Sequence, residues 1–133
     1  MLGTGAFVAV LDGGAMRLFR NKGHEPGVDL VELAAPGVAV ANAGSGGRHR
    51  SSTANPNATR LLEDNFVAAA ANHLNALALA REFEQIVIVA DPRTLGELRK
   101  HFHKSLEAKL IGQVAEDLVM QPVQAIKAHI RAA

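Results

Sequence analysis

Cysteine, tryptophan and tyrosine are all absent from this chain of 133 residues. Without cysteine the protein can form neither disulfides nor thiolate metal sites, and it has no cysteine nucleophile. Because the few phenylalanines are needed for a core, no aromatic surface is predicted on which nucleotide bases would stack. A charge excess is also missing, since 14 basic and 13 acidic residues leave a net charge of +1. Any contact with nucleic acid therefore has to come from a local patch.

Long apolar runs are missing as well, and none approaches the roughly 20 residues of a membrane span. Residues 1–5 lack the basic and apolar regions of a secretory signal. We therefore expect a cytoplasmic protein without a membrane or disulfide partner. The hydrophobic content of 48% is enough for a core, so residues 1–133 are expected to form a single α/β domain.

The central piece of that domain is a buried strand that leads directly into a helix. Residues 86–90 (IVIVA) are consecutive apolar residues, mostly β-branched, which is typical of a strand buried on both faces. Leu95, Leu98 and Phe102 then follow at helical spacing. Asp91 can cap this helix and Pro92 suits its first position, where no N–H is needed.

The remaining pattern predicts a mixed sheet of five strands with helices on both faces. Strands are expected over residues 6–11, 15–20 and 28–33, in an antiparallel meander, and a weaker edge strand over 111–118. The first and fourth strands should pair in parallel, because a helical crossover joins them. A short turn capped by Ser105 and a final helix beginning at Gln121-Pro122 complete the order.

The crossover helix is predicted to begin at Asn57 and to end near Arg81. Its apolar side chains at helical spacing form a stripe that is expected to face the sheet. The members of this stripe are Leu62, Phe66, Ala69, His73, Leu77 and Ala80.

A long exposed loop, inserted between the third strand and the long helix, is predicted over residues 36–56, where the chain is rich in glycine and serine. It contains the run Gly46, Gly47, Arg48, His49, Arg50. These residues are candidates for nucleic-acid binding, since a flexible cationic segment can hold RNA phosphate. The alternative is a solvated loop without a ligand.

Three stretches resemble the bacterial family described as required for attachment to host cells. Residues 11–19 (LDGGAMRLF) resemble its opening motif D-x-x-x-A-R-L-F, with Met16 inside the motif. Residues 92–99 (PRTLGELR) are similar to its signature P-R-T-L-G-x-L-R. Residues 117–123 resemble its segment D-L-T-x-x-P-V, where Val119 and Met120 depart.

That family in turn resembles the middle domain of archaeal and eukaryotic class-I peptide-chain release factors. The resemblance implies a release-factor middle-domain or ribonuclease-H-like fold, with a glycine-rich loop before the long helix. In release factors this loop carries Gly-Gly-Gln and helps water to attack peptidyl-tRNA, but here Arg48 stands in place of the glutamine. Because arginine has donors and no acceptor, it cannot reproduce the hydrogen bonding of an amide to that water.

Two further sites have competing interpretations. Arg93 and Thr94, after Asp91 at a helix start, could bind an anion, or Arg93 could pair with a neighbouring carboxylate; Arg17 has the same two interpretations. Asp12 and Asp91 end neighbouring strands, as in metal-dependent nucleases. Each is also explained locally, as a turn residue and a helix cap.

Further metal ligands would be Glu63 or Asp117, but no motif fixes a third position, so no metal and no cofactor is predicted. The basic patch formed by Lys100, His101, His103 and Lys104 is interpreted as a solvated face.

The first functional hypothesis is a non-catalytic adaptor that acts on RNA or the ribosome. The alternatives are a ribosome-dependent peptidyl-tRNA hydrolase or metal nuclease, and a regulator that binds an anion or small molecule. No catalytic residue is assigned, and the partner and oligomeric state are not predicted.

Overall fold

The computed structural model of the protein describes residues 3–23, 29–33 and 56–132. The strands are β1 (Phe7–Leu11), β2 (Met16–Asn21), β3 (Leu30–Glu32), β4 (Ile86–Ala90) and β5 (Leu110–Ala115). The helices are α1 (Pro56–Leu79), α2 (Pro92–Arg99), α3 (Lys104–Glu107) and α4 (Val123–Ala132). The order along the chain is that predicted from the sequence.

The sheet has the strand order β3-β2-β1-β4-β5. β1 pairs antiparallel with β2 and parallel with β4, where Leu11 lies opposite Ala90. β5 pairs parallel with β4, with a register shift between Ile86 and Val87 that leaves Ile111 as an extra residue. The mixed five-stranded sheet, the parallel pairing through α1 and the edge position of β5 are therefore confirmed.

Helices cover both faces of the sheet, as predicted. On one face α1, α2 and α3 pack on the sheet, and Leu74, Leu98 and Leu106 are fully buried there. On the other face Ile126 of α4 packs together with Leu118 and Val119 of the preceding segment. Because β1 and β4 are covered on both sides, all ten of their residues are buried, which is why these two strands are continuously apolar.

The face of α1 that packs on the sheet differs from the predicted stripe. Of the predicted stripe, Ala69 is buried and Phe66 and Leu77 pack, partly buried, against the core, whereas His73 is only partly buried and Leu62 and Ala80 are exposed. The face in the core is rotated by roughly 100°, the angle between consecutive helical residues. It consists of Val67, Ala70, Ala71, Leu74 and Ala78. The alanines allow the helix to lie close to the sheet. Because apolar residues occur on several sides of α1, helical spacing in the sequence could not identify the side that faces the sheet.

Two predicted boundaries were also wrong. Ser105 does not cap α3, which begins at Lys104 with His103 at the capping position and no side-chain cap hydrogen bond. β5 ends at Ala115, not at Leu118, because the chain crosses to the other face of the sheet, where Leu118 is buried with α4. The long helix begins and ends within two residues of its predicted limits.

Residues 36–55 of the predicted loop, including Gly46–Arg50, lie outside the described residues. Pro56, the last residue of the predicted loop, is instead the first residue of α1. Within residues 3–23, 29–33 and 56–132, no helix combines the length and the apolarity that a bilayer crossing requires.

Candidate functional site: the carboxyl edge of the parallel strands

A cleft of 590 Å³ lies where β1 and β4 end. Because Leu11 and Ala90 are paired, the next residues, Asp12 and Asp91, leave the sheet side by side, as predicted. The cleft is lined by residues 12–15, Glu63 of α1, Asp91, residues 93–94 of α2 and residues 119–120. Such an edge of parallel strands is where ligands of α/β proteins commonly bind.

Asp12 closes the turn between β1 and β2. Its Oδ1 accepts hydrogen bonds from the backbone N–H groups of Gly14 at 2.8 Å and Ala15 at 2.9 Å. At Gly13 an added Cβ would lie only 2.9 Å from Cγ of Glu63, so the turn packs directly against α1. Glycine is therefore required here by close approach rather than by an unusual backbone conformation.

Asp91 caps α2, with Pro92 in the first turn as predicted. Its Oδ2 accepts from the backbone N–H of Thr94 at 3.1 Å, and its Oδ1 accepts from Oγ1 of Thr94 at 2.6 Å. Both oxygens of Asp91 and one oxygen of Asp12 are thus engaged by their own turns, which is the local interpretation of these residues.

Among the described residues, no group of three or more His, Asp or Glu side chains is arranged to hold a metal ion. Of the two further ligands considered from the sequence, Glu63 lines the cleft and Asp117 does not.

Arg93 connects α2 to α1 through two ion pairs. Its Nη1 lies 3.0 Å from Oε1 of Glu63, and its Nη2 lies 3.1 Å from Oδ1 of Asp64. The pairing of Arg93 with neighbouring carboxylates is therefore confirmed. Anion binding by Arg93 and Thr94 stays a prediction, and it would compete with these carboxylates and with Asp91, which already holds the Thr94 N–H.

Arg17 lies outside the lining of the cleft and joins three parts of the fold. Its Nε and Nη2 donate to the two carboxylate oxygens of Glu32 on β3, at 3.0 and 2.9 Å. Its Nη1 donates to the carbonyls of Val119 at 2.9 Å and Gln121 at 2.8 Å. The guanidinium also stacks over Phe19, 5.0 Å from the ring centroid. These contacts give Arg17 a structural role in holding residues 119–121 against the sheet.

The Arg17–Glu32 pair shifts the protonation equilibria of both partners. The hydrogen bond to Glu32 raises the pKa of Arg17, against an opposing effect of burial. The hydrogen bond from Arg17 lowers the pKa of Glu32 from its ordinary value. Both groups are consequently charged throughout the physiological pH range.

The carboxyl edge carries a net negative charge. Asp12, Glu63, Asp64 and Asp91 lie there, and Arg93 is the cation paired with two of them; we refer to these four carboxylates as the acidic edge. β3 runs in the direction of this edge, and α1, which carries Glu63 and Asp64, follows it in the described chain. Asp64 is a member that sequence analysis missed, because nothing in the sequence marks a helical aspartate as the partner of an arginine 29 residues away.

The fold and its connections define an α/β domain with a mixed five-stranded sheet and the segment 34–55 before the long helix. The model of the family described as "Bacterial archaeo-eukaryotic release factor family 12" matches residues 5–130, and the chain belongs to this family. The relationship to release factors inferred from the sequence motifs is thereby confirmed. No curated protein matches the chain.

Proposed function

We propose that this protein is a non-catalytic cytoplasmic adaptor that binds RNA, in the first place ribosomal RNA, through residues Gly46–Arg50. The observation that carries the proposal is family membership over residues 5–130, combined with a Gly-Gly pair between β3 and α1. In release factors the corresponding loop is the part that enters the ribosome. The bacterial family whose motifs the sequence resembles is described as required for attachment to host cells. In this proposal, any effect on attachment would be indirect.

The attraction that the proposal requires is supplied by Arg48 and Arg50 themselves. The acidic edge repels phosphate, so it contributes no attraction to an RNA backbone. Arg48 and Arg50 supply two permanent positive charges, and a guanidinium can hold phosphate in a bidentate manner. Removal of these charges should therefore reduce RNA binding.

The absence of catalysis in the proposal rests on Arg48. A guanidinium presents donors only, whereas positioning a water for attack on an ester also needs an acceptor. We expect no hydrolysis of peptidyl-tRNA by the purified protein with ribosomes. Ribosome-dependent release of peptide above background would contradict the proposal of a non-catalytic adaptor. It would favour the alternative function of a peptidyl-tRNA hydrolase.

Co-sedimentation with purified ribosomes tests the binding itself. The Arg48→Ala variant should sediment several-fold less than the wild-type protein at low salt, because a phosphate contact is lost. Arg81→Ala is the matched control, since it removes the same charge beyond the other end of α1, about 36 Å from Pro56 along a helix of 24 residues. Equal sedimentation of the wild type and Arg48→Ala would contradict the proposed contact.

A further inference from the structure

We propose that the connector between α2 and α3 is a second contact surface for RNA phosphate, formed by Lys100, His101, His103 and Lys104. This inference rests on the proposed function and extends it, because it places an RNA-binding surface at the opposite end of the fold from the acidic edge. We call these four side chains the connector surface.

The connector surface lies within the densest run of basic residues in the described part of the sequence. Residues 99–104 (RKHFHK) contain five Arg, Lys or His residues and no acidic residue. No other six consecutive residues within 3–23, 29–33 and 56–132 contain as many. With histidine counted as neutral at pH 7, Arg99, Lys100 and Lys104 carry the positive charge of this run, and Glu97 and Glu107 flank it.

The ion pairs of this surface leave it open to phosphate. Glu97 lies 3.2 Å from Nζ of Lys100 and 3.8 Å from Nε2 of His101. The Lys100 side chain is 68% exposed, and an exposed ion pair of this kind contributes little to stability. Lys104 is exposed and has no salt bridge to a described residue. Phosphate can therefore compete for Lys100 and meets Lys104 without displacing a partner.

A buried amide holds the backbone of the connector in place. Asn75 of α1 is only 2% exposed. Its Nδ2 donates to the carbonyl of His101 at 2.8 Å, and its Oδ1 accepts from the N–H of His103 at 3.0 Å. Phe102, between these two residues, packs against the core. The flanking basic side chains are thus presented by an ordered backbone, which reduces the entropy lost on binding.

The position of the connector separates it from the acidic edge. α2 starts beside Asp91, at the end of β4, and runs back across the sheet. The carbonyl of Lys109, just after α3, accepts a hydrogen bond from the N–H of Ile86 at the beginning of β4, so the chain has returned to the other end of the sheet. Glu63 and Asn75 are twelve residues apart on α1, or about 18 Å along the helix. The connector surface therefore lies at the opposite end of the sheet from the acidic edge.

The salt dependence of binding to an oligouridylate tests this surface. For single-stranded RNA, log Kd changes with log salt by about 0.7 per phosphate contact. The double variant Lys100→Ala/Lys104→Ala should therefore have a slope about 1.4 smaller than the wild type, with weaker binding at low salt. Lys22→Ala/Lys127→Ala is the control, because it removes the same net charge from the β2–β3 turn and from α4 on the other face of the sheet.

An unchanged slope in the connector variant would overturn the inference, as would an equal decrease in the control. Arg48→Ala/Arg50→Ala, measured in parallel, separates this inference from the proposed function. If that variant keeps the wild-type slope while the connector variant loses 1.4, the proposed contact at Gly46–Arg50 fails and the connector surface stands. If the wild type does not bind the oligouridylate at any salt concentration, the connector surface is overturned, and only ribosome co-sedimentation then decides the proposed function. The thermal unfolding of each variant is recorded as the check on folding.

Discussion

The buried side chain of Asn75 accepts a hydrogen bond from the backbone N–H of His103, which belongs to the segment between α2 and α3. The same amide donates to the carbonyl of His101, so both of its polar atoms are used. A helix that otherwise packs through apolar side chains thus holds the neighbouring connection in place by one polar residue. This arrangement has a direct consequence for stability.

Asn75→Ala should lower the free energy of unfolding by about 1–3 kcal/mol, because a backbone N–H and a backbone C=O, both partly buried, lose their partner. Urea unfolding followed by circular dichroism measures the change. Asn72→Ala, on the exposed side of the same helix, is the matched control and should change stability by less than about 0.5 kcal/mol. Equal effects of the two substitutions would show that the amide does not hold the connector.

Arg17→Lys should destabilise the protein by about 1–2 kcal/mol. A lysine ammonium cannot reach both oxygens of Glu32 and the carbonyls of Val119 and Gln121 at once, so hydrogen bonds are lost. The exposure of Glu32 limits what the ion pair itself contributes. Stability equal to that of the wild type would contradict the role of Arg17 in holding residues 119–121.

The pair also predicts a pH dependence. Arg17 lowers the pKa of Glu32 in the folded protein. The ion pair therefore stabilises the fold fully above the pKa of a glutamate in the unfolded chain, about 4.3. This stabilisation is lost as the pH falls through the lower pKa of Glu32 in the folded protein. The difference in stability between the wild type and Glu32→Gln should therefore shrink as the pH falls below about 4.3. A difference that stays constant from neutral to acidic pH would contradict this linkage. Glu116→Gln, at an exposed carboxylate, serves as the control.

Arg81→Gly should stabilise the protein by about 1 kcal/mol. Arg81 has a φ of 61°, a left-handed conformation that glycine adopts without steric cost. It occupies the turn that ends α1, where its N–H donates to the carbonyl of Ala78 and the N–H of Glu82 donates to that of Leu77. Arg81→Ala removes the same side chain but keeps a Cβ, so it should bring no comparable gain in thermal unfolding. A gain of similar size in both variants would assign the effect to the lost charge.

Gly13→Ala should destabilise the protein by about 1 kcal/mol or more, because the added Cβ would lie 2.9 Å from Cγ and 3.1 Å from Cβ of Glu63. At Gly14 the nearest atom to an added Cβ is Oδ1 of Asp12 at 3.9 Å, an ordinary contact. Gly14→Ala is therefore the neighbouring control. If the two alanine variants unfolded at the same temperature, the close approach of the turn to α1 would be refuted.

The sheet could be predicted from the sequence because its signals are local. The apolar run 86–90 is too short for a helix, and Asp91 and Pro92 mark the start of the next one. The crossover helix then required β1 and β4 to be parallel, and the proximity of Asp12 and Asp91 followed from that pairing. This part of the site is therefore a consequence of topology.

What could not be predicted depends on contacts between distant residues. The face of α1 is selected by the close approach of Ala70, Ala71 and Ala78 to the sheet, which no spacing rule identifies when apolar residues lie on several sides. The partners of Arg93 are 29 and 30 residues away along the chain. Asn75 appears in the sequence as one polar residue among many, and only the position of the connector shows that it is buried.

The central claim is that Arg48 and Arg50 contact RNA on a release-factor-related scaffold. It is tested most directly by the salt dependence of ribosome co-sedimentation, comparing the wild type with Arg48→Ala/Arg50→Ala. The account predicts salt-sensitive sedimentation of the wild type and a dependence of log Kd on log salt that is smaller by about 1.4 in the variant, one contact being lost at each arginine. The same salt dependence in both proteins, or no sedimentation of the wild type at any salt concentration, would contradict it.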